Sequence, residues 1–144
     1  MTIVVDASVA VRWLFRIEPT SAADELFRPG EIFIAPDLIF SEIANAAWKM
    51  VTFANFSAES VAAVLRESSK TFDEVVPSTQ LVDHAFSIGV ELRHPAYDCF
   101  YLALAQQRDC QMVTADDKLV ARCGNTRFAK RVRPLITARS GRRR

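Results

Sequence analysis

The 144-residue chain reads as an α/β fold built on a parallel sheet that is covered on both faces. Short β-branched or apolar runs recur at Ile3-Val4-Val5, Ile32 to Ala35 and Cys110 to Thr114, the pattern of strands buried on two sides. Segments with a 3.6-residue apolar period lie between them. No internal repeat or low-complexity linker interrupts this alternation, and half the residues are hydrophobic, as in an ordinary globular domain.

The elements follow in order. Ile3-Val4-Val5 forms a first strand ending at Asp6, and Ser8 can cap a helix over Val9 to Arg16. Pro19 to Phe27 reads as a second helix, stopped by Pro29-Gly30. After the strand Ile32 to Ala35, Pro36 suits the first turn of a helix reaching about Met50. That helix carries Leu38, Ile39, Ile43, Ala46, Ala47 and Met50 on one face. Ser57 is an N-cap for a helix over Ala58 to Lys70. Val75-Val76 makes a short strand and Thr79 to Val90 a helix. Ala96 to Gln107 is apolar nearly all round, which predicts a buried helix. Cys110 to Thr114 is a strand, Lys118 to Arg122 a short helix, and Arg131 to Ile136 an edge strand.

Composition excludes several classes. The longest runs without charge are nine residues, Met50 to Ala58 and Cys99 to Gln107, too short to span a bilayer. The opening MTIVVDAS has neither the basic flank nor the cleavage site of a signal peptide. Cys99, Cys110 and Cys123 show no Cys-x-x-Cys spacing and read as reduced thiols of a cytoplasmic protein. A dinucleotide fold is excluded because the first strand leads into Asp-Ala-Ser, not a glycine-rich turn. The net charge of +1 hides an asymmetry: residues 1–117 carry 17 acidic and 8 basic side chains, and residues 118–144 carry ten Lys/Arg and no acid. An acidic body with a basic C-terminal arm suits acid groups gathered at one site and polyanion contacts elsewhere.

Four acids fall where chemistry is expected. Asp6 ends the first strand and Asp116 closely follows the strand at Gln111 to Thr114, so both point toward the crevice at the carboxyl ends of a parallel sheet. Glu42 lies in an apolar helical stretch with Asn45 three residues on, and Asp98 opens the apolar helix. Each alone has a plainer reading as a cap, a first-turn acid or an ion-pair partner. Together they would repel: two unit charges at about 4 Å interact by about 4 kcal/mol at an effective dielectric of about 20. Protonation, paired bases or a metal would resolve that repulsion, and neither His84 nor His94 has a Cys/His ligand spacing. Oxygen ligands favour Mg²⁺ or Mn²⁺. The histidines read as surface or loop residues. Trp48, Phe53, Phe56, Trp13 and Phe15 read mainly as core packing, with a groove for a partner helix as the other reading.

Ile3-Val4-Val5-Asp6-Ala7-Ser8-Val9 looks like the opening motif of the PIN-domain superfamily. Pro36-Asp37-Leu38 through Ser41-Glu42-Ile43-Ala44-Asn45, then Ala96-Tyr97-Asp98-Cys99-Phe100-Tyr101, then Val113-Thr114-Ala115-Asp116-Asp117-Lys118-Leu119 resemble its second, third and fourth motifs. The group it is most similar to is the VapC-type toxins of toxin–antitoxin pairs. The resemblance implies a three-layer α/β/α sandwich on a central parallel sheet of four or five strands, over residues 1–136, with 137–144 as a basic tail. It implies a Mg²⁺-dependent endoribonuclease, with Mn²⁺ as substitute, whose catalytic and metal-binding quartet is Asp6, Glu42, Asp98 and Asp116. Ser8 and Thr114 would support the site and Asn45 would add a polar group behind it. Asp117 is a departure: either it or Asp116 could be the fourth ligand, and the match at Thr114-Ala115-Asp116 favours Asp116. Lys118 could contact phosphate or neutralise Asp117.

The partners implied are RNA, held by Lys/Arg of the C-terminal third, a small antitoxin covering the cleft, and a second copy in a homodimer, with no membrane. The expected reaction is in-line attack leaving a 5′-phosphate and a 3′-hydroxyl. Two other classes are open: a PIN-like module that binds RNA or protein without cutting, and a Mg²⁺-dependent phosphotransfer protein with Asp6 as nucleophile. Against the second, Ser8 stands where the dehalogenase pattern has a further aspartate.

Overall fold

The structure is a computed structural model that describes residues 1–18 and 20–135, the side chain of Thr20 excepted. The basic tail expected at 137–144, and Ile136 at the end of the expected edge strand, lie outside the described residues. Among the described residues five parallel strands form one sheet: β1 (Thr2–Val5), β2 (Ile32–Pro36), β3 (Glu74–Val76), β4 (Gln111–Thr114) and β5 (Val132–Pro134), in the order β3-β2-β1-β4-β5. Among the described residues seven helices cover it: α1 (Ala7–Leu14), α2 (Thr20–Leu26), α3 (Leu38–Ala54), α4 (Ala58–Glu67), α5 (Val82–Leu92), α6 (Ala96–Gln107) and α7 (Asp117–Cys123). This is the α/β/α sandwich that the alternation of short apolar runs and helical segments predicts.

β1 is the central strand, pairing Ile3 with Phe33 on one side and Val4 with Met112 on the other. Its residues Val4 and Val5 are fully buried, as a strand covered on both faces requires. α6 packs across β1, β2 and β4 and buries Cys99 and every residue from Tyr101 to Ala105, so the all-round apolar helix is a core helix as expected. Its packing partner α5 comes close because Gly89 has no side chain: a Cβ there would meet the His94 carbonyl oxygen at 3.1 Å. That close approach fixes the turn carrying His94.

Several element starts differ from expectation, each for a local reason. The cap of α1 is Asp6, not Ser8. Asp6 is the last extended residue, with φ −88° and ψ 171°, and Oδ1 accepts the Val9 N–H, whereas Ser8 already lies in the first turn. Pro36 belongs to β2, opposite Val76, beyond the stretch that pairs with β1, so its missing N–H costs no ladder bond there. α3 runs past Met50 to Ala54 and stops at the left-handed Asn55. The expected helix over Ala58 to Lys70 tightens into a 3₁₀ turn at Ser68–Thr71. The helix expected from Thr79 begins as a 3₁₀ turn, Ser78–Gln80, before α5.

Candidate functional site

The strand order turns back on itself between β1 and β4, since the chain first builds outward through β2 and β3 and then returns to the other side of β1. Open parallel sheets form their ligand crevice at that position, beyond the carboxyl ends of the strands. Asp6 follows β1 at this crevice and is 5 % exposed. Ser8 Oγ donates to its Oδ1 at 2.6 Å, the Val9 N–H donates to the same oxygen at 3.2 Å, and Thr114 Oγ1 donates to Oδ2 at 2.5 Å. The two hydroxyls accept in turn, Ser8 from the Ala115 N–H at 2.9 Å and Thr114 from the Asp116 N–H at 3.0 Å. The turn after β4 is thereby tied to the turn after β1. Burial still outweighs these three donors and pushes the Asp6 carboxyl up to about 6, with the charge of Asp98 adding to the rise.

Glu42 reaches the same centre from α3. Tyr101, on α6 and 1 % exposed, donates its hydroxyl to Glu42 Oε1 at 2.5 Å. Partial burial raises the Glu42 carboxyl despite that bond, and the charges of Asp98 and Asp6 raise it further. The Tyr101 hydroxyl is held well above its ordinary range by burial and by the charges of Glu42, Asp6 and Asp98. Asp98 sits in the first turn of α6, where the helix N-terminus favours a negative charge. Its Oδ2 lies 2.6 Å from His94 Nε2. Asp6, Glu42 and Asp98, from three separate elements, therefore influence one another.

Asp116 caps α7, its Oδ1 accepting the Lys118 N–H at 2.9 Å, and its own N–H bonds to Thr114. Asp117 is exposed in the first turn of α7, so Asp116 is the acid joined to the Asp6 cluster. Asn45 is exposed one turn beyond Glu42, beside an open groove of about 630 Å³ that Glu42, Tyr97 and Phe100 also line. Its side chain makes no hydrogen bond to the four acids among the described residues.

The donor chemistry suits a hard cation. Asp6 Oδ2 accepts one bond, and Glu42 Oε2, Asp98 Oδ1 and Asp116 Oδ2 accept none among the described residues, so each acid has lone pairs left. Among those residues, no three acidic, histidine or cysteine side chains converge tightly enough to clasp one ion by themselves. The acids share one crevice without forming a closed cage. Mg²⁺ tolerates such a sparse donor set, because it keeps several waters and takes only one or two carboxylates directly. The raised Asp6 and Glu42 carboxyls mark where added positive charge would be most welcome.

Two residues at the site escape sequence reasoning. Tyr101 reads as one more apolar position of α6, yet a buried tyrosine hydroxyl needs a partner, and that requirement points to an acid nearby. His94 is a loop residue as expected, and its side chain is 11 % exposed and engaged with Asp98. The four-residue spacing of His94 and Asp98 is the signal that could have found the pair. His84 faces Gln106 at 2.9 Å. The aromatic reading is corrected: Trp48 (54 % exposed), Phe53 (72 %) and Phe56 (43 %) lie on the surface, Trp48 and Phe53 edge to face at 5.5 Å. The α3 face that meets the core is Ile39, Ile43, Ala47 and Met50, and Trp48 falls on another. Trp13 does pack, stacked on Phe27, which in turn meets Phe33.

Comparison with known proteins agrees with this fold. The chain is similar to the protein in the crystal structure of PAE2754 from Pyrobaculum aerophilum, with a TM-score of 0.70 and 21 % identity over 96 % of this chain and 86 % of that one. It is similar to a chain of VapBC-1 from nontypeable Haemophilus influenzae, with a TM-score of 0.64 and 14 % identity over 95 % of this chain and 100 % of that one. A chain of VapBC2 from Rickettsia felis, bound to a DNA fragment from its promoter, gives a TM-score of 0.62 and 12 % identity over 93 % and 98 %. No curated protein sequence matches the chain. The PIN-domain family model matches residues 3–124, which span β1 through α7 and include all four acids, and the chain belongs to the PIN-domain family.

Proposed function

We propose that this chain is a divalent-metal-dependent endoribonuclease, the toxin of a VapBC-type pair. The observation that carries the reading is the electrostatic meeting of Asp6, Glu42 and Asp98 at the sheet crevice, with Asp116 tied in through Thr114. That two of the similar structures are VapBC assemblies supports the toxin assignment and a small antitoxin as partner. A homodimer in the cytoplasm completes the reading. Among the described residues, no helix is long and apolar enough to cross a membrane.

Asp6, Glu42, Asp98 and Asp116 would hold Mg²⁺, or Mn²⁺ in its place. When bound, the dication supplies Lewis acidity that makes water a nucleophile near neutral pH and neutralises phosphate charge. Ser8, Thr114 and the Val9 N–H keep Asp6 in one orientation. Tyr101 takes one Glu42 oxygen and leaves the other for the centre, and His94 does the same for Asp98. Water attacks phosphorus in line, leaving a 5′-phosphate and a 3′-hydroxyl, with no use of the RNA 2′-hydroxyl. Phosphotransfer through Asp6 is disfavoured, because both of its oxygens are buried and hydrogen-bonded.

The test is incubation of the purified chain with structured RNA in Mg²⁺ or Mn²⁺ and then in EDTA, beside Asp6→Asn and Asp98→Asn. Metal-dependent cleavage lost in both variants is expected. Cleavage indifferent to metal and mutation, or products with a 2′,3′-cyclic phosphate, would remove the reading. Tight binding without cleavage would favour a non-catalytic PIN-like module. Expression of the chain alone should arrest growth, and co-expression of an antitoxin encoded beside it should restore growth.

A further inference from the structure

Beside the acidic centre, on the far side of His94, lies a cleft of about 490 Å³ lined by His94, Lys118, Ala121, Arg122 and Asn125. No acid lines it. Lys118 and Arg122 stand four residues apart on one face of α7, where like charges repel. Neither side chain, nor that of Asn125, makes an ion pair or hydrogen bond among the described residues. Being unpaired is not peculiar to them, since Arg66 on α4 is unpaired as well among the described residues, while Arg16, Arg108 and Arg127 pair with Asp24, Glu74 and Glu91; what sets Lys118 and Arg122 apart is that both line one cleft. Two fixed connections join the cleft to the acids, His94 Nε2 to Asp98 Oδ2 at 2.6 Å and the Lys118 N–H to Asp116 Oδ1 at 2.9 Å. Two unneutralised cations and an amide, converging on an open concavity at the border of a proposed phosphodiester-cleaving centre, suit a further phosphate of the same strand.

We infer that this cleft is a subsite for an RNA backbone phosphate next to the one cleaved, with Lys118 and Arg122 as its cations and Asn125 as a neutral donor. The inference rests on the nuclease reading, and the test separates the two. Binding of a labelled single-stranded RNA of about ten nucleotides is measured by anisotropy in EDTA, where no metal-dependent cleavage can occur, across a range of salt. For the unaltered chain, log affinity falls with log salt. The variant K118A/R122A should bind more weakly and show a slope shallower by about 0.7, the single-strand value for one neutralised phosphate. K118R/R122K, which keeps both charges, should bind like the unaltered chain, as should R66A on the distant α4. Both altered side chains are exposed, so thermal unfolding should not change. An unchanged slope in K118A/R122A, or no binding by the unaltered chain, would overturn the subsite. Displacement of the RNA by millimolar inorganic phosphate would assign the cleft to a free anion and overturn it too. If cleavage fails but the slope depends on Lys118 and Arg122, the nuclease reading falls, the cleft remains an RNA-phosphate site, and its place next to a cleaved bond is overturned.

Discussion

Asp6 and Glu42 face the same centre, yet the fold holds them in opposite ways. Asp6 is 5 % exposed and accepts three hydrogen bonds from two chain turns, so its position is part of the fold itself. Glu42 is half-buried at the mouth of an open groove and is held by Tyr101 alone, 59 residues away in sequence. A change at Asp6 should therefore separate stability from chemistry, whereas Glu42 should be sensitive to the loss of one distant hydroxyl.

The largest expected effect comes from Asp6→Asn. The amide keeps the shape and an acceptor for Ser8 and Val9, but removes the charge. Cleavage should fall by at least about 100-fold, the upper range seen when groups merely supporting a metal ligand are lost. Stability should move the other way at neutral pH. The folded chain binds the Asp6 proton more tightly than the unfolded chain, about 6 against an ordinary 3.8, so its contribution to stability is fully present below 3.8 and is lost as pH rises through about 6. The total is about 3 kcal/mol. Glu42 adds to this trend, while Asp24, Glu74 and Glu91, whose carboxyls are lowered by arginine partners, oppose it. The difference between the unaltered chain and Asp6→Asn isolates Asp6. Chemical denaturation at pH 4, 5, 6 and 7 should show the variant gaining on the unaltered chain as pH rises. A constant difference would mean that burial does not set the Asp6 proton affinity.

Tyr101→Phe comes next and sharpens the other half of the comparison. It removes only the hydroxyl that orients Glu42, so cleavage should fall about 10- to 100-fold while stability drops by about 1 kcal/mol. Unaltered cleavage would show that Glu42 is set by its own helix.

Ser8→Ala should act mainly on the fold. It takes one donor from Asp6 and leaves the Ala115 N–H without its acceptor, a change of about 1–3 kcal/mol in the denaturation midpoint. Its cost should exceed that of Tyr101→Phe in stability and fall below it in activity. The reverse order would mean that the Ser8 hydroxyl serves the chemistry more than the turn.

What the sequence made legible divides along the same line. Strand positions could be read because β-branched runs such as Ile3-Val4-Val5 have few other places to go, and the buried α6 because its apolar residues leave no polar face. The acids at strand ends followed from the geometry of parallel sheets. The Asp6–Ser8–Thr114 cluster was only half legible. Ser8 looked like the cap because a serine before a helix often is, yet the cap must be extended, and only Asp6 is. The Tyr101–Glu42 bond joins residues 59 apart through tertiary packing, which no local spacing encodes. The i, i+4 spacing of His94 and Asp98 was a local signal left unread, and the close approach at Gly89 that presents His94 to α6 had no local signal at all.

The aromatic surface gives the smallest effect and the clearest contrast with the core. Phe33, 7 % exposed and tilted 36° against the Phe27 ring at 4.6 Å, should cost about 3–5 kcal/mol when replaced by alanine. Trp48 looked equally suited to the core by composition, since α3 is apolar on both sides of it. The helix has room for one buried stripe, and Ile39, Ile43, Ala47 and Met50 fill it. Trp48 therefore lies against Phe53 over solvent, and Trp48→Ala should shift the urea midpoint by no more than about 0.5 kcal/mol equivalent. A loss of several kcal/mol in the isolated chain would mean that this face is covered in solution, and a midpoint rising with protein concentration would then identify the cover as a second copy.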